Sequence, residues 1–190
     1  SFFENWIEAG FPFLSLPLAL DTKKYNLSIS RNWELNSTEL AFVGGYWPSK
    51  SLQIDPYLRP FENKLAIYGY SKWPYNGYKG PLVAAKEPDL YNSAKICPVI
   101  NEPSVKLLHG QINERVFKVL GSGGFPITDD VPQYKDLLRG NILISSGPEN
   151  FYEMVSFFLK NPDKRLEWME RGRKEVFERH TYIHRAEQLM

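Results

Sequence analysis

The stretch HGQINERVFKVLGSGGFPITDD, from His109 to Asp130, restricts the fold more than any other part of the chain. Ile112, Val116, Val119 and Leu120 stand at the i, i+4, i+7, i+8 spacing of a buried helix face, which predicts a helix from about Ile112 to Leu120. Gly121 to Gly124 then supplies residues that tolerate positive φ where a helix must stop. Phe125 onward reads as an apolar strand ending in Asp129 and Asp130. The glycine run goes from helix into strand, the reverse of a phosphate-binding loop, so it reads first as a helix stop. The first turn of this helix carries Asn113 and Arg115, and its unpaired N–H groups and positive dipole end make a natural seat for phosphate.

The rest of the chain limits what that seat serves. At 190 residues it is long enough for one good core and a partial second unit. Twenty-three Lys and Arg against 22 Asp and Glu leave a net charge of +1, too little to draw in nucleic acid or an anionic membrane in bulk, so any anion site must be local. The single cysteine, Cys97, excludes an intramolecular disulfide framework and a cysteine-rich zinc site. It is compatible with a reducing compartment, and a cytoplasmic location is expected. Phe11 to Leu20 resembles a signal-peptide core, but Glu4 and Glu8 precede it and prolines interrupt it, so it reads as a buried strand. No apolar run reaches the ~18 residues of a transmembrane helix. Asn26-Leu-Ser28 and Asn36-Ser-Thr38 match the glycosylation triplet, which matters only in a secreted protein.

In chain order, a helix end at Phe2 to Ala9 stops at Gly10, and Ala19 to Ser37 reads as a polar linker. Strands follow at Leu40 to Val43 and Leu65 to Tyr68, with Tyr46 to Asn63 irregular between them apart from a short helix near Ile54 to Phe61. After a turn-rich loop at Ser71 to Gly80 come a strand at Pro81 to Ala85, a helix at Glu87 to Ala94 and a strand at Ile96 to Ile100. Beyond the His109 to Asp130 stretch lie a helix at Pro132 to Leu138, a strand at Ile142 to Ser145, helices at Pro148 to Leu159 and Asn161 to His180, and a closing turn or helix. Strands alternating with helices predict an α/β fold, a Rossmann-like parallel sheet flanked by helices. Such sheets bind ligands beyond the carboxyl ends of their strands, where Gly44, Gly45, Tyr70, Asn101 and Asp129 fall.

Each candidate residue has a structural reading beside a functional one. Arg115 has the planar fork that pairs with a diphosphate, or is a surface charge; Asn113 bonds a ligand, or caps the helix. Lys118 lies four residues after Glu114, the spacing of an intrahelical ion pair that needs no ligand. His180 and His184 share a helix face but have no nearby carboxylate to complete a metal triad, and a structural role is favoured. Trp73, Tyr75 and Tyr78, near Lys72 and Lys79, either stack on sugars or bases or form a packing lid. Asp129 and Asp130 are adjacent, so one faces the crevice and the other solvent.

At Asn113-Glu-Arg-Val-Phe-Lys118, the glycine stop, Phe125 to Asp129 and the distant His180-Thr-Tyr-Ile-His-Arg185, the chain resembles the C-terminal domain of GT-B glycosyltransferases. More narrowly the chain resembles the group related to the spore-maturation CgeB proteins, with N-x-R-x-F-E, G-x-x-x-x-T-D and a closing H-T-Y-x-x-R. Leu16 to Asp21 and Phe42 to Gly45 resemble that group's crossing segment and first C-domain strand. The resemblance implies three parts: residues 1–38 as the end of an N-terminal domain and a crossing linker, 39–180 as a Rossmann-like nucleotide-sugar-binding domain, and 181–190 as a closing helix.

It also implies a nucleoside diphosphate sugar as donor, with the diphosphate near Asn113 to Arg115 and a binding set of Gly44, Gly45, Tyr70, Asn113, Arg115, Lys118 and Asp129. No metal and no separate cofactor are expected, because Arg115, Lys118 and the helix dipole can stabilise the leaving diphosphate. The acceptor is an unknown glycan, protein or small molecule, and the catalytic base is expected in the N-terminal GT-B domain. One departure stands out: the group's ribose-holding Glu is replaced by Lys118, an ammonium that can only donate. A catalytically silent scaffold that kept the fold is therefore the competing reading.

Overall fold

The computed structural model describes residues 2–11, 14, 16–29, 38–107 and 111–190. Two parallel strands, β1 (Leu40–Val43) and β2 (Leu65–Tyr68), pair with Leu40 opposite Leu65 and Val43 opposite Tyr68. Three more, β3 (Cys97–Val99), β4 (Pro126–Thr128) and β5 (Leu143–Ile144), form a second parallel group in that spatial order. The groups join where Leu40 bridges Ile96, with the Ala41 N–H donating to the Ile96 carbonyl at 3.0 Å and the Ile96 N–H to Glu39 at 2.9 Å. Outside β2, Ile67 bridges Tyr78 in parallel. Read across, the order is the Tyr78 segment, β2, β1, β3, β4, β5, so the direction of winding reverses between β1 and β3. That reversal is the switch point of a doubly wound sheet. Strands buried on both faces need unbroken apolar runs, which LAFV, LAIY, CPV and PIT provide.

Helices cover both faces. α1 (Phe2–Glu8) precedes the sheet, and α2 (Pro48–Leu58) runs into a 3₁₀ turn at Arg59–Lys64. α3 (Glu87–Ser93), α4 (Pro103–Leu107), α5 (Arg115–Gly121) and α6 (Gln133–Leu137) follow. α7 (Pro148–Lys160), α8 (Pro162–Arg179) and α9 (Tyr182–Glu187) complete the chain. Alternate residues of β1 face opposite layers: Phe42 packs with Ile54, Tyr57 and Phe151 of α2 and α7, whereas Ala41 packs in the layer of Tyr91, Val116 and Val119 of α3 and α5. α8 reaches both, through Met169 on one side and Val176 on the other.

Several expectations need correction. The Tyr46 to Asn63 stretch is mostly helical, because Pro48 sits at the first helical position, where its missing N–H costs nothing, and Lys50, Ile54, Tyr57 and Leu58 make a buried face. The described residues of the Phe11 to Leu18 stretch form no strand, and Phe11, Leu14 and Leu18 are exposed. The backbone pairs with the rest of the fold at Leu20, whose N–H donates to the His180 carbonyl at 2.7 Å and whose carbonyl accepts from Tyr182 at 3.1 Å. Pro81 to Ala85 is not a strand; the edge pairing occurs earlier, at Tyr78, and a 3₁₀ turn occupies Ala84–Lys86. The helix predicted from Ile112 begins three residues later, at Arg115, and His109 and Gly110 lie outside the described residues.

The glycine stop behaves as predicted and does a second job. Gly123 takes φ +70°, and a Cβ on Gly121 would stand 2.2 Å from a Leu20 methyl and 2.7 Å from the Tyr25 carbonyl oxygen. The crossing segment therefore lies directly on the end of α5, its Leu27 N–H donating to the Gly121 carbonyl at 3.3 Å. Gly121→Ala should destabilise the protein by about 1–3 kcal/mol through overpacking, read as a lower urea midpoint with an unchanged slope.

Candidate functional site

The crevice at the switch point is built from the ends of β1 and β3 and from the starts of α2 and α5. Its floor depends on glycines for space. A Cβ on Gly69 would stand 2.2 Å from the Gly44 carbonyl oxygen, and one on Gly44 would stand 2.9 Å from the Phe42 ring and 3.0 Å from Arg115 Nη2. The Gly44 N–H donates to the Tyr68 carbonyl at 2.9 Å, and its own carbonyl accepts the indole N–H of Trp73 at 2.9 Å. With its Cβ absent, the Arg115 guanidinium lies over the Phe42 ring, 4.6 Å from the centroid. Arg115 Nη1 is buried and has no hydrogen-bond partner among the described residues. A guanidinium keeps its protons, so a buried N–H of this kind calls for an acceptor from outside.

A second cation stands on α2. Lys50 is buried, lies 4.3 Å from the centre of the Trp47 ring, and its Nζ donates to Glu102 Oε1 at 2.9 Å. Burial pushes its pKa down, the Glu102 hydrogen bond opposes that, and the charge of Arg115 adds to the depression. Lys50 and Arg115 are thus close enough to feel each other.

Of the residues expected in the binding set, Gly44, Gly45 and Arg115 meet in this crevice. A Cβ on Gly45 would stand 2.6 Å from the Trp47 ring and 3.2 Å from Ser71 Oγ, so the loop after β1 also needs a glycine there. Asn113 precedes α5 rather than occupying its first turn, and its side-chain carbonyl accepts the Arg115 N–H at 2.9 Å, a capping role. Asp129 is fully buried beneath the crevice: its Oδ1 accepts from the Asn101 N–H at 3.1 Å and from Asn101 Nδ2 at 2.6 Å, and its Oδ2 accepts from Gln53 Nε2 at 3.0 Å.

Two residues are not drawn into this buried cluster. Tyr70, at the end of β2, is 89% exposed. Lys118 pairs with Glu114 at 2.8 Å and points toward the Tyr25 ring, where its charge helps hold the Glu87 pKa down, alongside the stronger effect of the Tyr25 hydroxyl and against burial. Sequence reasoning missed Lys50, Glu102 and Gln53. The available signal was Gly44-Gly45 followed by Pro48, a strand, a tight loop and a helix start, which reading the prolines as breakers obscured.

The aromatic loop is a packing lid: Trp73 and Tyr75 are buried, and Tyr75 donates to Asp55 at 2.8 Å. His180 and His184 have structural partners. His184 completes a capping box with Thr181 at the start of α9, and no group of three metal-ligating side chains occurs among the described residues. Open grooves of about 560 Å³ on the outward side of α2 and about 720 Å³ beside α6, α8 and α9 lie away from the switch point.

This is the architecture of a GT-B glycosyltransferase half. Sucrose-phosphate synthase from Thermosynechococcus elongatus superposes on 99% of the chain with a TM-score of 0.71 at 13% identity, and the chain spans 53% of that protein. An α1,3-fucosyltransferase crystallised with GDP superposes on 71% of the chain with a TM-score of 0.52 at 11% identity, and the same enzyme with GDP-fucose gives 0.51 at 12%. This chain corresponds to 38% and 39% of the length of those two structures. At the level of sequence, the glycosyl transferase-like family profile matches residues 50–190, and the chain belongs to that family. No curated protein sequence matches it. No helix among the described residues is long and apolar enough to cross a membrane.

The closing H-T-Y-x-x-R segment has a pH signature. His180 is buried; its Nδ1 accepts from Arg185 Nη2 at 3.1 Å, and its Nε2 lies 3.5 Å from Glu175 Oε1. Burial, then the Arg185 charge, lowers its pKa against the opposing pull of Glu175. The folded state therefore resists a proton that the unfolded chain accepts near pH ~6.5. The contribution of neutral His180 is present above that pH and is lost as pH falls through the lower folded value. Urea unfolding should show stability dropping from about pH 7.5 to about pH 5.5, with a shallower drop in His180→Gln.

Proposed function

We propose that the chain is the donor-binding half of a nucleotide-sugar-dependent glycosyltransferase, with the donor diphosphate lying in the switch-point crevice against Arg115 and Lys50. The observation that carries this reading is Arg115 Nη1, a buried charged donor without a partner among the described residues, in a guanidinium whose Nη2 would be crowded by a Cβ on Gly44. A diphosphate supplies the acceptor oxygens that this nitrogen lacks, and the planar fork suits it. During transfer, the bond between the sugar and the diphosphate breaks and negative charge gathers on the departing oxygen. Cations already fixed in place stabilise that charge without reorganising, so the chemistry needs no metal. The sugar acceptor and the catalytic base belong to an N-terminal GT-B domain, and the acceptor is a glycan, a protein or a small molecule. A cytoplasmic location fits the reduced, buried Cys97.

A second reading has one observation in its favour. Lys118 stands where the related group holds the donor ribose with a Glu, and it is engaged by Glu114. A domain that lost this contact but kept its fold would be a catalytically silent scaffold.

Calorimetric titration and thermal shift with UDP, GDP, ADP and TDP separate the two. On the donor reading, one diphosphate binds and, at about 100 times its dissociation constant, adds about 2.7 kcal/mol of stability. Arg115→Ala and Lys50→Ala should each weaken that binding at least about tenfold, a charge-assisted hydrogen bond being worth about 1.5–3 kcal/mol. No binding by the wild-type chain, and none restored in Lys118→Glu, would establish the scaffold reading.

A further inference from the structure

We propose that Asp129 is a positioning residue that sets the two cations of the crevice through a buried hydrogen-bond relay, and that Tyr134 is the link through which it reaches Arg115. The inference rests on the donor-binding reading and adds to it the device that holds the site in shape. Asp129 faces neither solvent nor the crevice mouth; it is fully buried, as are Asn101 and Tyr134. From Asp129 Oδ1 the chain of contacts runs to Asn101 Nδ2 at 2.6 Å; Asn101 Oδ1 accepts from the Tyr134 hydroxyl at 3.0 Å; the Tyr134 oxygen accepts from the Asn113 N–H at 3.0 Å. Asn113 then accepts the N–H of Arg115 at 2.9 Å. The other carboxylate oxygen accepts from Gln53 on α2, the helix that carries Lys50 one turn earlier. One buried carboxylate is therefore tied to both cation-bearing helices.

The polarity of the relay is consistent at every step. An ionised carboxylate only accepts, so Asn101 must present its NH₂ to Asp129 and its carbonyl oxygen to Tyr134. Tyr134 spends its proton on Asn101 and keeps a lone pair for the Asn113 N–H. Each link thereby dictates the orientation of the next. A change at Asn101 or Tyr134 acts on Arg115 through the segment that leads into α5, and a change at Gln53 acts on Lys50 through α2.

The test uses the variant that removes least. Tyr134→Phe deletes one hydroxyl and keeps the ring, and it is examined in the intact chain beside Arg115→Ala and the double variant, with GDP and UDP as probes. The relay predicts that Tyr134→Phe weakens the better nucleotide about threefold to tenfold, the effect of one lost hydrogen bond, and that this loss disappears in the Arg115→Ala background. Amide exchange without ligand should show the Asn113 and Arg115 N–H groups losing protection in Tyr134→Phe while β4 keeps its own. Asp129→Asn, should it fold, should weaken binding more than Tyr134→Phe because it disturbs both branches.

Nucleotide affinity unchanged in Tyr134→Phe, or a loss that persists in full without Arg115, would overturn the relay while leaving the donor site intact. Failure of the wild type to bind either nucleotide would instead overturn the reading on which the relay rests.

Discussion

A carboxylate cannot lie fully out of water unless donors surround it, and the upper end of this sheet is arranged to meet that demand at Asp129. Removing one donor from a buried charge is costly, so the contacts of Asp129 with Asn101 and Gln53 bind three pieces of chain into one body: the end of β3, the end of β4 and the middle of α2. The parallel strands are short, two to four residues each, and give little rigidity beyond their own length. Much of the precision in the loops above them has to come from polar side chains locked below the surface.

The glycines solve a complementary problem. At Gly44 and Gly69 the requirement is space, because neither takes a left-handed backbone and each would drive a Cβ into a neighbour. Their absence of side chain brings the ends of β1 and β2 together and lets a guanidinium lie against the Phe42 ring. Gly121 and Gly124 do the same on the far side of α5, where the crossing segment and the Tyr91 carbonyl close in. The glycine-rich run is thus a docking surface for the chain's own backbone.

Much of this was legible in the sequence. Apolar four-residue runs ended by glycine placed β1 and β2, and the spacing of Val116, Val119 and Leu120 placed the buried face of α5. What local pattern could not show was context. Pro48 and Pro56 look like breakers until one knows that the first begins a helix and that the second lies near its end, so the first half of α2 and with it Lys50 went unread, although a short helix near Ile54 to Phe61 was expected. Phe11, Leu14 and Leu18 look like core, yet apolarity alone does not say that a partner is at hand. Asp129 looked like a ligand because it ends a strand, whereas its partners come from residues 28 and 76 positions away in the chain, and no periodicity records such contacts.

The bridge between Leu20 and Thr181 has a mechanical meaning. The incoming segment and the start of α9 run side by side there, and Arg185 adds a second tie by donating to the Pro17 carbonyl at 2.9 Å. Everything from β1 to α8 is enclosed between these two points. Entry and exit of this part of the chain are thus fastened to each other by backbone, the Leu20 N–H bonding the His180 carbonyl and the Tyr182 N–H the Leu20 carbonyl, as well as by the Arg185 side chain.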